Sequence, residues 1–274
     1  MKVALLSLLF RRYHLDKIFE VAAEAGYDGV EIWGGRPQAY PYDMDEARCE
    51  QVLELKQKYH LEVPMYTPEV LGYPFNIATT DEKERVETID YLKKALDVAK
   101  AIEAPRIQLA TGHAGYGTSR RKNRENVMYV LSTLAEYADK LGIDIILEAV
   151  TLMESNVIIF LDDLVELIED IGSPRIKGML DTVTPTVHQE TFADYFEKLG
   201  DKMDYIHFID SDGRDQHHFP IGEGKIPMQA LMTIIRKYHY DGWLSSELVW
   251  PYGRDPELYA IQEIRSIRKL LAEN

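Results

Sequence analysis

The stretch that decides the fold is YIHFIDSDG, residues 205–213. A short apolar run ends on His207 and gives way at once to acidic turn residues, then to His217, His218 and Gly222-Glu223-Gly224. Buried parallel strands have this continuous apolar pattern, and in a barrel their carboxyl ends carry polar side chains to the mouth. The stretch therefore predicts a barrel strand and makes His207 a candidate metal ligand.

Three other apolar runs end on a carboxylate, at Glu148, Asp181 and Glu247. For any one acid alone, helix capping or a surface ion pair is the simpler interpretation. Four such groups at the same end of successive strands would bring like charges together, which opposes folding unless a cation neutralises them. Carboxylate oxygen and imidazole nitrogen suit a fairly hard divalent cation, so we predict one metal held by these three acids and His207.

The composition is that of an ordinary globular protein, with 46% hydrophobic and 28% charged residues in a chain of 274. A formal net charge of -15 argues against binding to nucleic acid or to an anionic membrane, because phosphate contacts need surplus lysine and arginine. Cys49 is the only cysteine, which fits a reducing cytoplasm. No run reaches the roughly 18 apolar residues of a membrane span. The apolar start, Met1–Phe10, lacks a cleavage site and is interpreted as the first strand, not a signal peptide.

Strand-length apolar runs alternate with amphipathic segments along the whole chain. Strands are predicted at Met1–Phe10, Gly29–Trp33, Glu62–Tyr66, Arg106–Ala110, Ile145–Glu148, Lys177–Asp181, a run ending at His207, and Trp243–Glu247. Helices are predicted at Leu15–Ala25, Asp45–Tyr59, Asp81–Ala101 (with Val86, Ile89, Leu92, Leu96 and Ala99 inward), Arg124–Leu141, Asp162–Ile171, Phe192–Leu199, from Pro227, and Pro256–Leu271. Eight strands, each followed by a helix, predict a (β/α)8 TIM barrel with one domain over residues 1–274, not an open doubly wound sheet.

Several polar and aromatic residues near the strand ends are candidates for contact with a substrate. Glu154 follows Glu148 on a loop and could orient a hydroxyl group, although a solvated loop charge explains it equally well. His113 lies at a strand end, where a structural histidine is the alternative. Aromatic side chains that could line the pocket, or simply belong to the core, are Trp33, Tyr66 and Trp250.

Longer strings in the chain resemble the xylose isomerase-like sugar isomerase/epimerase superfamily. The resemblance spans nearly the whole chain and is to the D-tagatose and D-psicose 3-epimerase branch, with the fructoselysine 3-epimerases nearest. The strings that carry it are Tyr27–Gly29 with Glu31–Pro37, Tyr66–Glu69 with Gly72–Pro74, His113–Tyr116, Glu154–Val157, and Asp210–Gly213 with Gly222–Lys225.

The resemblance implies a (β/α)8 barrel that holds one divalent cation at Glu148, Asp181, His207 and Glu247. The family's metal is commonly manganese, with cobalt, nickel, magnesium or iron as alternatives. Glu154 matches the family's substrate-contacting glutamate. The resemblance also implies a homo-oligomer, since barrels of this superfamily commonly form dimers or larger assemblies.

Two departures from the family pattern bear on the substrate. Free-ketose epimerases carry a substrate-binding histidine three residues after the metal aspartate, where this chain has Thr184. They also carry an arginine six residues after the metal histidine, where this chain has Gly213, with Arg214 one place later as the candidate replacement. The losses favour a fructosamine substrate, in which the pocket accepts an amino-acid arm on C1.

The resemblance therefore implies C3 epimerisation of a sugar-amine, interconverting fructoselysine and psicoselysine, with Glu148 and Glu247 as the two acid/base groups. A free ketohexose is the alternative substrate. A nuclease like endonuclease IV, from the same superfamily, would need about three metals, more histidines and a basic groove, which the net charge of -15 disfavours. A sugar-binding barrel without turnover is the non-enzymatic alternative.

Overall fold

Eight parallel strands close into a barrel in chain order, β1 to β8, as the sequence predicts. The computed structural model describes residues 1–71, 74–249 and 251–273. The strands are β1 Lys2–Leu6, β2 Gly29–Gly34, β3 Tyr66–Pro68, β4 Arg106–Ala110, β5 Asp144–Glu148, β6 Ile176–Asp181, β7 Met203–His207 and β8 Trp243–Ser246. The helices are α1 Leu15–Ala25, α2 Glu46–Tyr59, α3 Glu82–Ala101, α4 Arg120–Leu141, α5 Leu161–Ile171, α6 Val183–His188, α7 Phe192–Leu199, α8 Met228–Lys237 and α9 Pro256–Ala272.

The helix limits follow from capping residues that can be seen in the sequence. The Asp81 side chain accepts the backbone N–H of Glu84 at the start of α3, which satisfies a donor that has no partner within the helix. Gly26 ends α1 in the left-handed region at φ 95°, where a side chain would be strained. Capped helices of this kind return the chain to the amino end of the next strand.

The structure corrects the predicted elements at several places. The third strand is Tyr66–Pro68, and of the predicted run Glu62–Tyr66 only Glu62 forms an isolated bridge before it, to Gly29. The first strand ends at Leu6 and continues as the 3-10 turn Ser7–Phe10. The short helix α6 was not predicted, and α4 begins at Arg120 instead of Arg124. Val86 is 53% exposed, so its placement on the buried face was wrong.

The barrel interior is filled below the mouth by Met65, Ile146, Met179 and Tyr205, all without solvent exposure. Three of these residues lie two positions before Glu148, Asp181 and His207 on their strands. Side chains two apart on a strand point to the same face, so the three strand-end groups also point inward. The interior side chains form a dry floor beneath them.

Ion pairs cross the strands at the opposite, amino-terminal end of the barrel. Asp204 Oδ1 lies 2.9 Å from Arg106 Nε, and Asp204 Oδ2 accepts from Lys177 at 2.8 Å. Lys177 also lies 2.7 Å from Asp144, which pairs with Arg175 at 3.2 Å. The cationic groups of the barrel strands thus lie away from the mouth. Within the described residues, no helix is long and apolar enough to cross a bilayer.

Candidate metal centre

The four predicted ligands lie together at the carboxyl ends of consecutive strands. Glu148, Asp181 and His207 are the last residues of β5, β6 and β7, and Glu247 directly follows β8. The parallel register pairs Asp181 with His207 and His207 with Ser245, which brings neighbouring strand ends to one level. Glu148 and Asp181 are each 6% exposed and His207 is fully buried.

The donor atoms of this group converge. His207 Nδ1 lies 2.7 Å from Glu247 Oε2 and 3.6 Å from Glu148 Oε1. Although Nδ1 and Oε2 are this close, neither makes a hydrogen bond of good geometry, and both are buried. Ligand atoms of Glu148, His207 and Glu247 all lie within 4.8 Å of one another, and so do those of Asp181, His218 and Glu247. The cluster therefore offers five donor side chains.

His218 is the group that the sequence did not assign. It is held over the cluster because Asp210 fixes the loop that follows β7. The Asp210 carboxylate accepts the backbone N–H groups of Gly222, Gly224 and Ile226, each at 3.0 Å. A Cβ at Gly224 would lie 2.2 Å from Asp210 Oδ1, so this close approach requires glycine. His218 Nδ1 in turn lies 2.5 Å from the backbone oxygen of Glu247.

Two further residues orient the cluster from outside it. Glu31, on β2, is fully buried and its Oε1 lies 3.1 Å from His207 Nε2. Gln108, on β4, donates a hydrogen bond from its amide to Glu148 Oε2. Partners of this kind fix the tautomer and orientation of metal-ligating side chains. Neither residue was assigned from the sequence, where Glu31 appeared only inside a matching string.

Burial and mutual charge shift the pKa values of the cluster in opposite directions. Burial raises the pKa of Glu148 to about 8 and that of Asp181 to about 6. Burial would also raise the pKa of Glu247, but the charges of His207 and His218 hold it below its ordinary value. Burial opposes charge on His207, yet Glu247 and Glu31 raise its pKa well above the usual range. Such a group needs either protons or a cation to balance its charge.

A cavity lies directly above the cluster, with walls of opposite character. Its polar side includes Gln108, Thr151, Glu154, Gln216 and His218 in addition to the strand-end acids. The opposite side, from the ends of β1 to β3, is mainly apolar; beside Thr67 and Glu69 it includes Leu6, Leu8, Trp33, Pro68, Val70 and Leu71. A larger cavity of about 500 Å³ lies on the outer surface, between α1 and α2, and contains none of the strand-end groups. The smaller cavity, which contains the strand-end acids, is therefore the candidate active site.

Sequence comparison identifies the family. A model described as "Xylose isomerase-like TIM barrel" matches residues 19–270. The chain belongs to the xylose isomerase-like TIM barrel family. Fructoselysine 3-epimerase of Escherichia coli O157:H7 is 39% identical over 274 residues, covering 100% of both chains.

Solved structures agree with this family at the level of fold. D-allulose 3-epimerase from Methylomonas sp. in complex with D-allulose superposes with a TM-score of 0.83, at 22% identity, over 98% of this chain and 96% of that one. The IOLI protein with a bound zinc atom has a TM-score of 0.85, at 18% identity, over 99% of this chain and 98% of that one. At these identities the likeness shows the fold alone.

Two of the predicted substrate contacts line the cavity of this xylose isomerase-like barrel. Glu154 Oε2 accepts the backbone N–H of Thr151 at 3.1 Å and its hydroxyl at 2.9 Å, and burial raises the pKa of Glu154. Trp33 donates from Nε1 to Glu69 Oε2 at 3.1 Å. Both side chains are held in place, and both face the space above the cluster.

The other predicted contacts lie elsewhere in this xylose isomerase-like barrel. Tyr66 is fully buried and its hydroxyl donates to the backbone oxygen of Ala39, which turns it away from the cavity. His113 Nδ1 accepts the N–H of Gly115 in its own loop. Arg214 is 77% exposed and its nearest carboxylate is Asp212, at 3.5 Å. Trp250, and Gly72 and Tyr73 of one matching string, lie outside the described residues.

Proposed function

We propose that the protein is a metal-dependent 3-epimerase of a ketose whose C1 carries an amino acid, interconverting fructoselysine and psicoselysine. The observation that carries the proposal is the 39% identity over 274 residues, without an unmatched end, to fructoselysine 3-epimerase of Escherichia coli O157:H7. The acidic cluster beneath a half-polar cavity supports it, because sugar hydroxyls and a metal both suit such a wall.

The residues at the mouth fit a divalent cation. His207 Nδ1 and Glu247 Oε2 are buried and have no hydrogen-bond partner among the described residues, and three carboxylates neutralise a double positive charge with one negative charge left over. Glu148, Asp181, His207 and Glu247 would hold the ion, with manganese as the first candidate and cobalt, nickel, magnesium or iron as alternatives. When bound, the cation supplies electrophilic stabilisation of the negative charge that develops as the proton leaves C3.

Glu148 and Glu247 are the proposed proton-transfer residues. Epimerisation removes a proton from one face of the sugar and returns one to the other face, which takes two acid/base groups on opposite sides. The two glutamates come from β5 and the end of β8, with β6 and β7 between them in the barrel. Gln108 donates to Oε2 of Glu148 and so fixes the orientation of the carboxylate towards the cluster and the cavity above it. Glu154, on the polar wall, orients a sugar hydroxyl.

The amino-acid arm is proposed because two contacts of the free-ketose enzymes are missing. Thr184 occupies the position of their histidine, and its hydroxyl lies 3.4 Å from Asp181 Oδ2. Gly213 occupies the position of their arginine, and Arg214 is turned to solvent. We also propose a cytoplasmic location, consistent with the single buried Cys49, and a homo-oligomeric assembly.

The test is proton exchange at C3. Metal-loaded protein is incubated in deuterium oxide with fructoselysine, with psicoselysine and with a panel of free ketohexoses, and the C3 signals are followed by NMR. We expect exchange and epimerisation with the two lysine adducts, and loss of both on chelation with recovery on adding metal. Faster turnover of a free ketohexose than of the two lysine adducts would assign the free ketohexose as the substrate. Turnover that survives complete metal removal would exclude the metal mechanism.

A further inference from the structure

A cavity of about 230 Å³ adjoins the candidate active site on the side of β1. Its lining residues, here called the arginine pocket, are Leu8, Leu9, Arg11, Arg12, Val249 and Gly253. Leu8 also lines the cavity above the acidic cluster. Leu8 therefore borders both spaces.

The arginine pocket is positive in a chain with a formal net charge of -15. Within the described ranges, neither Arg11 nor Arg12 has a carboxylate partner at ion-pair distance. The Arg11 guanidinium instead lies over the Trp33 ring, 5.5 Å from its centre. Both arginines are exposed, and two guanidinium groups at the edge of one cavity have the charge and the geometry to bind an anionic group on a ligand.

Trp33 connects the arginine pocket to the active site and is held rigidly. Its backbone N–H donates to Ser7 Oγ at 2.8 Å and its indole N–H to Glu69 at 3.1 Å. A Cβ at Gly35 would lie 2.1 Å from the indole ring, so the ring packs directly on the Gly35 backbone. Trp33 also lines the cavity above the acidic cluster, and the Arg11 guanidinium lies over its ring. The guanidinium is thus positioned at the boundary between the two spaces.

We propose that the arginine pocket binds the α-carboxylate of the amino-acid arm on the substrate. The inference rests on the proposed function and specifies how that site recognises the arm. The hydroxyl-rich sugar contacts the acidic wall, while the four methylene groups of the arm, about 6 Å long when extended, lie along Leu6, Leu8 and Trp33. The carboxylate then passes Leu8 and meets Arg11 and Arg12, whose planar groups bind carboxylates through paired hydrogen bonds.

The experiment compares fructoselysine with its analogue that lacks the α-carboxylate, the fructose adduct of 1,5-diaminopentane. The proteins are the wild type, Arg11→Gln, Arg12→Gln and the double variant, each checked by thermal melting. Arg121→Gln is the matched control, because Arg121 is 82% exposed on α4 and its ion pair among the described residues is with Glu125 in the same helix. The quantity measured is the ratio of kcat/KM for the two substrates.

We expect the wild type and the control to prefer fructoselysine strongly. In the double variant kcat/KM for fructoselysine should fall by about 10- to 100-fold, mainly through KM, as expected for losing charge-assisted hydrogen bonds. The ratio of kcat/KM for fructoselysine to that for the analogue should then approach one. Each single variant should give a ratio between those of the wild type and the double variant. An unchanged ratio in the double variant, or an equal loss with both substrates, would overturn the proposal.

A phosphate group on a sugar is the other anion that two arginines would bind. Fructose 6-phosphate is therefore assayed with the same proteins. If the wild type prefers it and the double variant loses that preference, the pocket binds phosphate, and the proposal that it binds the α-carboxylate is overturned. If the wild type does not epimerise fructoselysine, the proposed function fails, and calorimetric binding of the two adducts replaces kinetics. Binding that needs both the carboxylate and the arginines still supports the pocket; absent or carboxylate-independent binding overturns it.

Discussion

The imidazole Nε2 of His207 lies 3.1 Å from Oε1 of Glu31, and both side chains are fully buried. The same Glu31 oxygen accepts the hydroxyl of Thr67 at 2.7 Å, which fixes the carboxylate. The contact with Glu31 therefore orients the ring so that Nε2 donates to Glu31 and Nδ1, the atom that would bind the ion after losing its proton, faces Glu247. Glu31 prepares His207 to act as a ligand before any ion arrives.

Glu31→Gln should weaken metal affinity by roughly 10- to 100-fold, because the neutral amide no longer raises the basicity of the imidazole. Affinity is measured by competition with a chelating dye. Glu263→Gln is the control, since it replaces another fully buried glutamate, one whose side chain accepts from Ile221 and not from His207. Equal affinity in the Glu31 variant and the wild type would show that Glu31 has no such role.

His207→Ala should remove most of the bound metal. It deletes one donor and leaves the neighbouring carboxylates to repel each other without a counter-charge. Metal content of the purified, folded variant is the measurement, with melting temperature as the check on folding. A variant with full metal occupancy and normal turnover would exclude His207 as a ligand.

Glu148→Gln and Glu247→Gln should both abolish net epimerisation, because an amide cannot accept the carbon-bound proton. The two variants should still differ in deuterium oxide. Each should exchange the C3 proton only of the epimer that presents it to the remaining glutamate, which NMR detects. Matching preferences in the two variants, or near wild-type epimerisation in either, would contradict the two-face assignment.

Glu263→Gln should change how stability depends on pH. Burial raises the pKa of Glu263 to about 8, whereas an unfolded glutamate titrates near about 4.3. The folded protein thus keeps this proton longer than the unfolded chain, so the stability that it contributes is full at low pH and is lost as pH rises from about 4.3 to about 8. The glutamine variant lacks this loss, and its melting temperature relative to wild type should rise between pH 5 and 9. A melting-temperature difference between variant and wild type that does not change with pH would refute the expectation.

The sequence predicted the strand ends well because each buried strand is a continuous apolar run that stops at a polar residue. The third strand was misplaced because Pro64 lacks an N–H, so that after the isolated bridge at Glu62 a regular strand begins only at Tyr66. Glu31 was not assigned because an acid between Val30 and Ile32 looks like an outward residue of an alternating strand. His218 was missed because its place depends on the Asp210 contacts that fold its loop back over the mouth, and no periodic pattern encodes such a loop.

The two kinds of wall at the mouth come from different parts of the gene. Leu6, Leu8, Trp33 and Val70 lie in the first part of the chain, whereas the acids that would hold the ion begin only at Glu148. Loops at the carboxyl ends of barrel strands can vary without disturbing the barrel beneath them. Changes in these early loops would therefore alter the apolar side of the pocket, and changes at Thr184 and Gly213 its sugar side, while the acids that would hold the ion are retained.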